Sequence, residues 1–169
     1  MKLTTVEGMQ SEIFVPITLK PIFTELKKLG YHTAIDTSGV FYLTPKIKEI
    51  INLTDLFLLD IKCINDKICR DLTGVSNEKE LEFAQYLSSI GKHMWIRQVL
   101  VPGYTDKEED LKKLKEFLST LKTVDKVEIL PYHDMGKFKW INLGVTYPLE
   151  GVRTANEQDV ERAKTILGI

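Results

Sequence analysis

Cysteine is scarce in this sequence: Cys63 and Cys69 are the only two among 169 residues. Two cysteines cannot build the disulfide framework of a small secreted domain. Their spacing also matches none of the common zinc or iron–sulfur ligand patterns. Because free cysteine behaves as a small hydrophobic residue, we expect both thiols to be structural.

Long apolar runs and an excess of one charge are also absent. No stretch approaches the roughly 20 apolar residues of a membrane-spanning helix, and MKLTTVEGMQ lacks the hydrophobic core of a signal peptide. The chain has 23 Lys and Arg against 24 Asp and Glu, a net charge of −1. This balance gives no electrostatic attraction to nucleic acid or to an anionic membrane. The sequence therefore predicts a cytoplasmic protein that binds neither.

Two common motifs are missing as well. Neither G-x-S-x-G nor G-x-G-x-x-G occurs, so nothing local indicates a hydrolase elbow or a dinucleotide site. A hydrophobic fraction of 43% and a charged fraction of 28% are typical of a globular protein. The length predicts one domain spanning residues 1–169.

From residue 17 onward, helical patterns alternate with short apolar strands. The first helix carries Ile22, Leu26 and Leu29 at helical spacing, and Thr44 followed by Pro45 indicates the start of the second. Asn77 with Glu80, and Thr105 with Glu108, are spaced as helix-capping pairs. The predicted strands are YHTAID, DLFLLDIK (buried on both faces), MWIRQVLV and KVEILP. This alternation predicts an α/β fold with parallel strands, either an open doubly wound sheet or part of a barrel.

A polar side chain stands in or after each predicted strand. In chain order these residues are Asp36, Asp60, Lys62, Arg97 and His133. Each alone has a simpler interpretation, since Asp36 fits a turn and Lys62 could point to solvent. Because the C-terminal ends of parallel strands share one edge, their coincidence predicts a common ligand site. Its mixed charge suits a zwitterionic, polar ligand. We call these five residues the strand-end site.

Several longer stretches resemble one known family. YHTAIDTSG, DLFLLDIK, LTGVSNEKELEFAQYL, MWIRQVLVPGYTD and VEILPYHDMGKFKW are similar, in order and spacing, to the pyruvate formate-lyase-activating enzymes. That family consists of radical S-adenosylmethionine (SAM) proteins that activate glycyl-radical enzymes. The similarity begins near residue 17 and continues to Ile169.

The resemblance implies a fold and an activity. The fold would be a partial (β/α) barrel of parallel strands, an N-terminally truncated form of the radical SAM (β/α)6 barrel. The activity would use SAM and a [4Fe-4S] cluster, with flavodoxin or a similar protein as electron donor. Reductive cleavage would give a 5′-deoxyadenosyl radical, which removes a hydrogen atom from a backbone glycine of pyruvate formate-lyase.

The resemblance also implies roles for individual residues. Asp36, Lys62 and His133 would lie at the SAM site, and Arg97 would face the same cavity. Asp60 would join Asp36 and Thr37 around a monovalent cation beside the SAM carboxylate. The DMGKFKW segment that follows His133 would be a loop facing the protein partner.

The sequence departs from the family where the cluster should bind. It lacks the C-x3-C-x2-C loop, so no iron–sulfur ligands are present. It also lacks the Gly-Gly-Glu motif that holds the SAM amino group in the family. We therefore expect the first barrel strands and the cluster loop to be absent and the chain alone to be inactive and prone to self-association. An alternative is a non-catalytic half-barrel that binds a glycyl-radical enzyme or a complementing half. A further alternative is a (β/α) enzyme that uses Lys62 as a Schiff base or general base.

Overall fold

The computed structural model describes residues 11–169, with side chains from residue 18 onward. In chain order the elements are α1 (Ser11–Lys28), β1 (Ala34–Thr37), α2 (Pro45–Leu53), β2 (Leu56–Ile61), α3 (Asp66–Thr73), α4 (Glu78–Ser89), β3 (His93–Leu100), α5 (Glu108–Ser119), β4 (Val124–Pro131), a 3-10 turn (Asp134–Gly136), α6 (Lys137–Asn142) and α7 (Glu157–Leu167). The 3-10 turn and α6 occupy the segment that was predicted to be a loop, so that prediction is wrong. None of the described helices is long and apolar enough to span a membrane.

The four predicted strands form one parallel sheet in the order β1-β2-β3-β4, which confirms the α/β fold class. Each strand therefore lies beside the strand that precedes it in the sequence. A doubly wound sheet reverses its strand order at a switch point, whereas a barrel segment does not. Of the two architectures that the sequence left open, this order favours the barrel segment.

The chain divides into two compact units. The first comprises the described part of Met1–Asp60 together with Glu78–Ile96 and Leu121–Lys126, and the second comprises Ile61–Asn77, Arg97–Thr120 and Val127–Ile169. The single domain inferred from the length stays a prediction.

Helix α1 packs in the first unit through only one of the three apolar residues noted at helical spacing in the sequence, Leu26. Leu19, Phe23 and Ile50 of α2 form a buried cluster, with Leu26 packed against it. Ile22 and Leu29, which stand at helical spacing with Leu26, are instead 42% and 72% exposed. Several apolar residues on this helix share helical spacing, and the position of α2 decides which of them are covered.

The start of α2 follows its sequence signals. The Thr44 side chain accepts a hydrogen bond from the Ile47 amide at 3.3 Å, and Pro45 occupies the first helical turn. The missing N–H of proline costs nothing there because that amide would have no partner within the helix. The predicted cap is confirmed.

Strand β2 is buried on one face only, so the prediction of burial on both faces is wrong. Phe57, Leu59 and Ile61 are buried, whereas the alternate residues are half-buried. Strand β3 shows the same alternation, with Arg97 on its half-buried side. Successive side chains of a strand point to opposite faces. The charged residues of these two strands therefore lie on the less covered face.

In the second unit, Thr105 does not cap α5 as predicted. The N-cap residue is Lys107, and it makes no side-chain cap. The Thr105 hydroxyl instead donates to the Val99 carbonyl and accepts from the Val101 amide, each at 2.7 Å. The hydroxyl fixes the turn that follows β3 because it links a carbonyl within the strand to an amide just beyond it.

Candidate functional site

Two predicted site residues, Asp36 and Asp60, lie in the first unit on neighbouring strands. The β1–β2 pairing is parallel and aligns Asp36 with Leu58, two residues before Asp60. Residues two apart on a strand share a face, so both carboxylates lie on the same face of the sheet. Both side chains are half-buried. Two carboxylates placed in this way provide oxygen ligands for a hard cation or an ammonium group.

Thr37 faces the other way. It is aligned with the buried Leu59, and its side chain is 7% exposed. Its hydroxyl accepts a hydrogen bond from the Gly39 amide at 3.1 Å. The hydroxyl is therefore engaged with the loop that follows β1, and the part of Thr37 in a cation site stays a prediction.

Lys62 is the first residue after β2 and lies in the second unit, where it is half-buried. Its backbone carbonyl accepts a hydrogen bond from Gln98 Nε2 at 3.4 Å. The next two carbonyls, of Cys63 and Ile64, both accept from Asn77 Nδ2, at 2.9 and 2.8 Å. Side-chain amides therefore hold the backbone from which the Lys62 ammonium extends.

Arg97 lies within β3 in the same unit, between the buried residues Ile96 and Gln98. Its own side chain is half-buried. A guanidinium in this position stays charged at any physiological pH and can donate two parallel hydrogen bonds to a carboxylate. Its predicted direction toward a ligand stays a prediction.

His133 follows β4 and is exposed, with an extended backbone. The preceding residue, Tyr132, anchors it: the Tyr132 amide donates to the Leu100 carbonyl, and the Tyr132 carbonyl accepts from the Ala155 amide, each at 3.0 Å. The Tyr132 hydroxyl lies 2.7 Å from that of Tyr147. Burial, and then this hydrogen bond, raise the pKa of Tyr132, which keeps the phenol neutral. No sequence pattern indicates this tyrosine pair, because its two members are 15 residues apart and meet only in the folded chain.

The structure therefore places the strand-end residues in two groups. Asp36 and Asp60 share one face in the first unit, while Lys62, Arg97 and His133 belong to the second. Convergence of all five on one ligand stays a prediction.

The residues present do not fit an iron–sulfur cluster. Cys63 and Cys69 form no disulfide, and each is only 1% exposed. The Cys69 thiol lies 3.6 Å from the Thr73 hydroxyl, one helical turn away. Within residues 18–169, no three His, Cys, Asp or Glu side chains are grouped so that they could hold a metal ion.

Comparison with known proteins identifies close relatives, although no protein-family model matches the chain. It is 47% identical over 168 residues to the pyruvate formate-lyase-activating enzyme of Streptococcus mutans, covering 96% of this chain and 64% of that protein. It is 43% identical over 168 residues to the enzyme of the same name from Listeria monocytogenes, covering 96% of this chain and 67% of the relative. The chain thus spans about two thirds of the length of these relatives.

Solved structures support the fold. A domain of pyruvate-formate lyase-activating enzyme from Bacteroides vulgatus superposes with a TM-score of 0.77 at 23% identity, covering 99% of this chain and 92% of that domain. SuiB of Streptococcus suis, solved with S-adenosylmethionine bound, superposes with a TM-score of 0.55 at 17% identity, over 80% of this chain and 34% of that protein. These matches are consistent with a partial radical SAM barrel. Since the Listeria relative is 43% identical and covered over 67% of its length, the chain belongs to the family of pyruvate formate-lyase-activating enzymes.

Proposed function

We propose that this chain is the SAM-binding part of an enzyme that activates pyruvate formate-lyase. In this reading the complete activase is an oxidoreductase that uses SAM and a [4Fe-4S] cluster to generate a glycyl radical on its partner. The observation that carries the proposal is the pair of carboxylates, Asp36 and Asp60, on one sheet face, with Lys62 two residues beyond Asp60. It is supported by the names of the close relatives.

The proposed roles follow from the charges. SAM carries a carboxylate, an ammonium and a sulfonium. The Lys62 ammonium suits the ligand carboxylate, and the Arg97 guanidinium can assist it. Asp36 and Asp60 can provide oxygen ligands for a monovalent cation. The exposed imidazole of His133 can donate a hydrogen bond to the ligand. When bound, SAM would supply the group from which the radical derives.

The cluster is not assigned to this chain. The family resemblance implies three thiolate ligands, and the two buried cysteines do not provide them. The role proposed for the chain is therefore limited to binding SAM and contacting the partner enzyme.

Titration of the isotope-labelled chain with SAM, followed by protein NMR, tests this function. We expect shifts to concentrate on the residues that follow β2 and β4. Lys62→Ala should weaken binding by about tenfold or more, because a charge-assisted hydrogen bond is lost, and His133→Ala should weaken it less. Lys67→Ala is the matched control, since that lysine pairs with Asp71 on α3 and its side chain is 84% exposed.

Two outcomes would contradict the proposal. One is the absence of SAM binding by the unsubstituted chain. The other is equal affinity in the chain with and without Lys62→Ala. If the chain bound pyruvate formate-lyase but not SAM, the alternative of a non-catalytic half-barrel would take its place.

A further inference from the structure

We propose that Asn77 and Gln98 are positioning residues for Lys62. Together they hold three consecutive backbone carbonyls of the loop that follows β2, those of Lys62, Cys63 and Ile64. We call this arrangement the amide clamp. The inference rests on the proposed function, because it concerns how the Lys62 ammonium is presented to SAM.

The geometry of the amide clamp is specific. Asn77 Nδ2 donates to two successive carbonyls at 2.9 and 2.8 Å, so both of its hydrogens are used. Gln98 Nε2 donates to the Lys62 carbonyl at 3.4 Å and to the Val99 carbonyl at 3.0 Å. The Gln98 amide therefore joins β3 to Lys62, and the Asn77 amide holds Cys63 and Ile64, the two residues that follow Lys62.

Both amides are themselves fixed. Gln98 is 2% exposed and Asn77 is 5% exposed, so solvent does not compete freely for their hydrogen bonds. The backbone of Asn77 is held as well, because its amide donates to Asp66 Oδ1 at 3.2 Å. The Ser76 hydroxyl donates to the same oxygen at 2.7 Å. The amide clamp is thereby attached to the first turn of α3.

The Asp66 carboxylate is ionised near neutral pH. A hydrogen bond from Arg70 at 2.8 Å, followed by the one from Ser76, lowers the pKa of Asp66. A carboxylate that stays ionised keeps accepting these bonds across the physiological range. The support beneath Asn77 therefore does not change with pH near neutrality.

The amide clamp limits the movement of the Lys62 ammonium more than the movement of the Lys62 backbone. Lys62 stands immediately after the strand, where ladder hydrogen bonds cease to define the backbone. Its ammonium sits at the end of a flexible four-carbon stem, so a small rotation at the Cα becomes a larger displacement of the charge. Misplacement of a binding group by about 1 Å is enough to weaken a site strongly. Fixing the carbonyls of residues 62–64 limits that displacement.

A double-mutant cycle separates positioning from general stability. Asn77→Asp keeps the size of the side chain but replaces its two N–H donors with an acceptor. We expect it to weaken SAM binding about fivefold or more in the unsubstituted chain and to change affinity less than twofold in a Lys62→Ala background. Gln98→Met, which removes a donor without adding charge, should behave in the same way and serves if Asn77→Asp does not fold.

A spectroscopic readout that needs no ligand accompanies the cycle. Loss of the amide clamp should accelerate hydrogen exchange of the backbone amides of residues 62–65 in the absence of SAM, while exchange in α5 stays unchanged. Asn156→Ala is the matched control, because it removes the cap of α7 in the same unit without touching this loop. It should leave both the exchange and the SAM affinity unaltered.

The outcomes distinguish this inference from the function on which it rests. If Lys62→Ala weakens SAM binding but Asn77→Asp and Gln98→Met do not, the amide clamp has no positioning role and the proposed function stands. An equal loss from Asn77→Asp with and without Lys62 would also overturn the inference, since the effect would not pass through Lys62. If Lys62→Ala has no effect, the proposed function fails and the positioning role fails with it.

Discussion

At the scale of single residues, Gly39 occupies a position that a larger residue cannot fill without displacing its neighbours. Its φ is +72°, and a Cβ there would lie 2.8 Å from Leu59 Cδ1 and 3.2 Å from Phe83 Cδ1. The loop after β1 also uses the Gly39 amide to hold the Thr37 hydroxyl. The glycine of the DTSG stretch therefore allows the loop beyond Asp36 to approach β2 and α4 closely.

We predict that Gly39→Ala destabilises the chain by about 2–4 kcal/mol, measured by urea unfolding, because backbone strain and overpacking add. Gly74→Ala is the matched control. Its φ is +79°, but a Cβ there would meet nothing within 4 Å. It should cost only the strain, about 1–2 kcal/mol. Equal losses from the two substitutions would contradict the close approach.

The same scale shows why some residues of the proposed site could be named from the sequence and others could not. Asp36, Lys62 and His133 stand beside apolar stretches, and that contrast is visible in the sequence. Gln98 and Asn77 carry no such contrast: one interrupts a strand at a buried position, and the other was interpreted as a helix cap. Their hydrogen bonds join segments distant in sequence, so only the fold could identify their partners.

At the scale of elements, helix α7 begins at a capping box formed by residues close together in the sequence. The Asn156 side chain accepts from the Asp159 amide, and the Asp159 carboxylate accepts from the Asn156 amide, each at 2.9 Å. Arg153 adds two hydrogen bonds to that carboxylate, at 2.6 and 2.8 Å. The bonds from Arg153 and then Asn156 lower the pKa of Asp159 to about 2 from its ordinary value of 3.8.

Because the pKa of Asp159 is lower in the folded than in the unfolded chain, its ionised carboxylate stabilises the fold at any pH above about 4. This contribution is lost as the pH falls from about 4 toward 2 and the carboxylate becomes protonated. We therefore predict that Asp159→Asn lowers the free energy of unfolding by about 1 kcal/mol at neutral pH. The difference from the unsubstituted chain should vanish between about pH 4 and pH 2 in urea unfolding. A difference that stays constant over that range would contradict the assignment.

Element positions were predictable because periodicity and capping residues are local. Burial was less so. Leu29 and Ile22 have the same apolar character as Leu19 and Phe23, yet only the latter two belong to the buried cluster that includes Ile50 of α2. The continuous apolar run of β2 likewise predicted two covered faces, whereas its alternate residues are half-buried. Which face is covered depends on neighbours that the segment itself does not specify.

At the scale of the whole molecule, residues suited to SAM are present in this chain, whereas a set of cluster ligands is not found among its described residues. The chain carries charged residues that suit SAM, but its two buried cysteines cannot serve as cluster ligands. It also spans about two thirds of the length of its relatives. The proposed activity therefore requires cluster ligands other than these two cysteines.

The measurement that tests this account most directly uses a chimera in which the part of the Streptococcus mutans enzyme not covered by this chain is joined to it. The chimera is reconstituted with iron and sulfide, mixed with SAM, a reductant and pyruvate formate-lyase, and examined by electron paramagnetic resonance. We predict a glycyl-radical signal on pyruvate formate-lyase, lost with Lys62→Ala and absent for the chain alone. A chimera that carries its cluster and binds SAM, yet gives no glycyl radical where the parent enzyme does, would contradict the account.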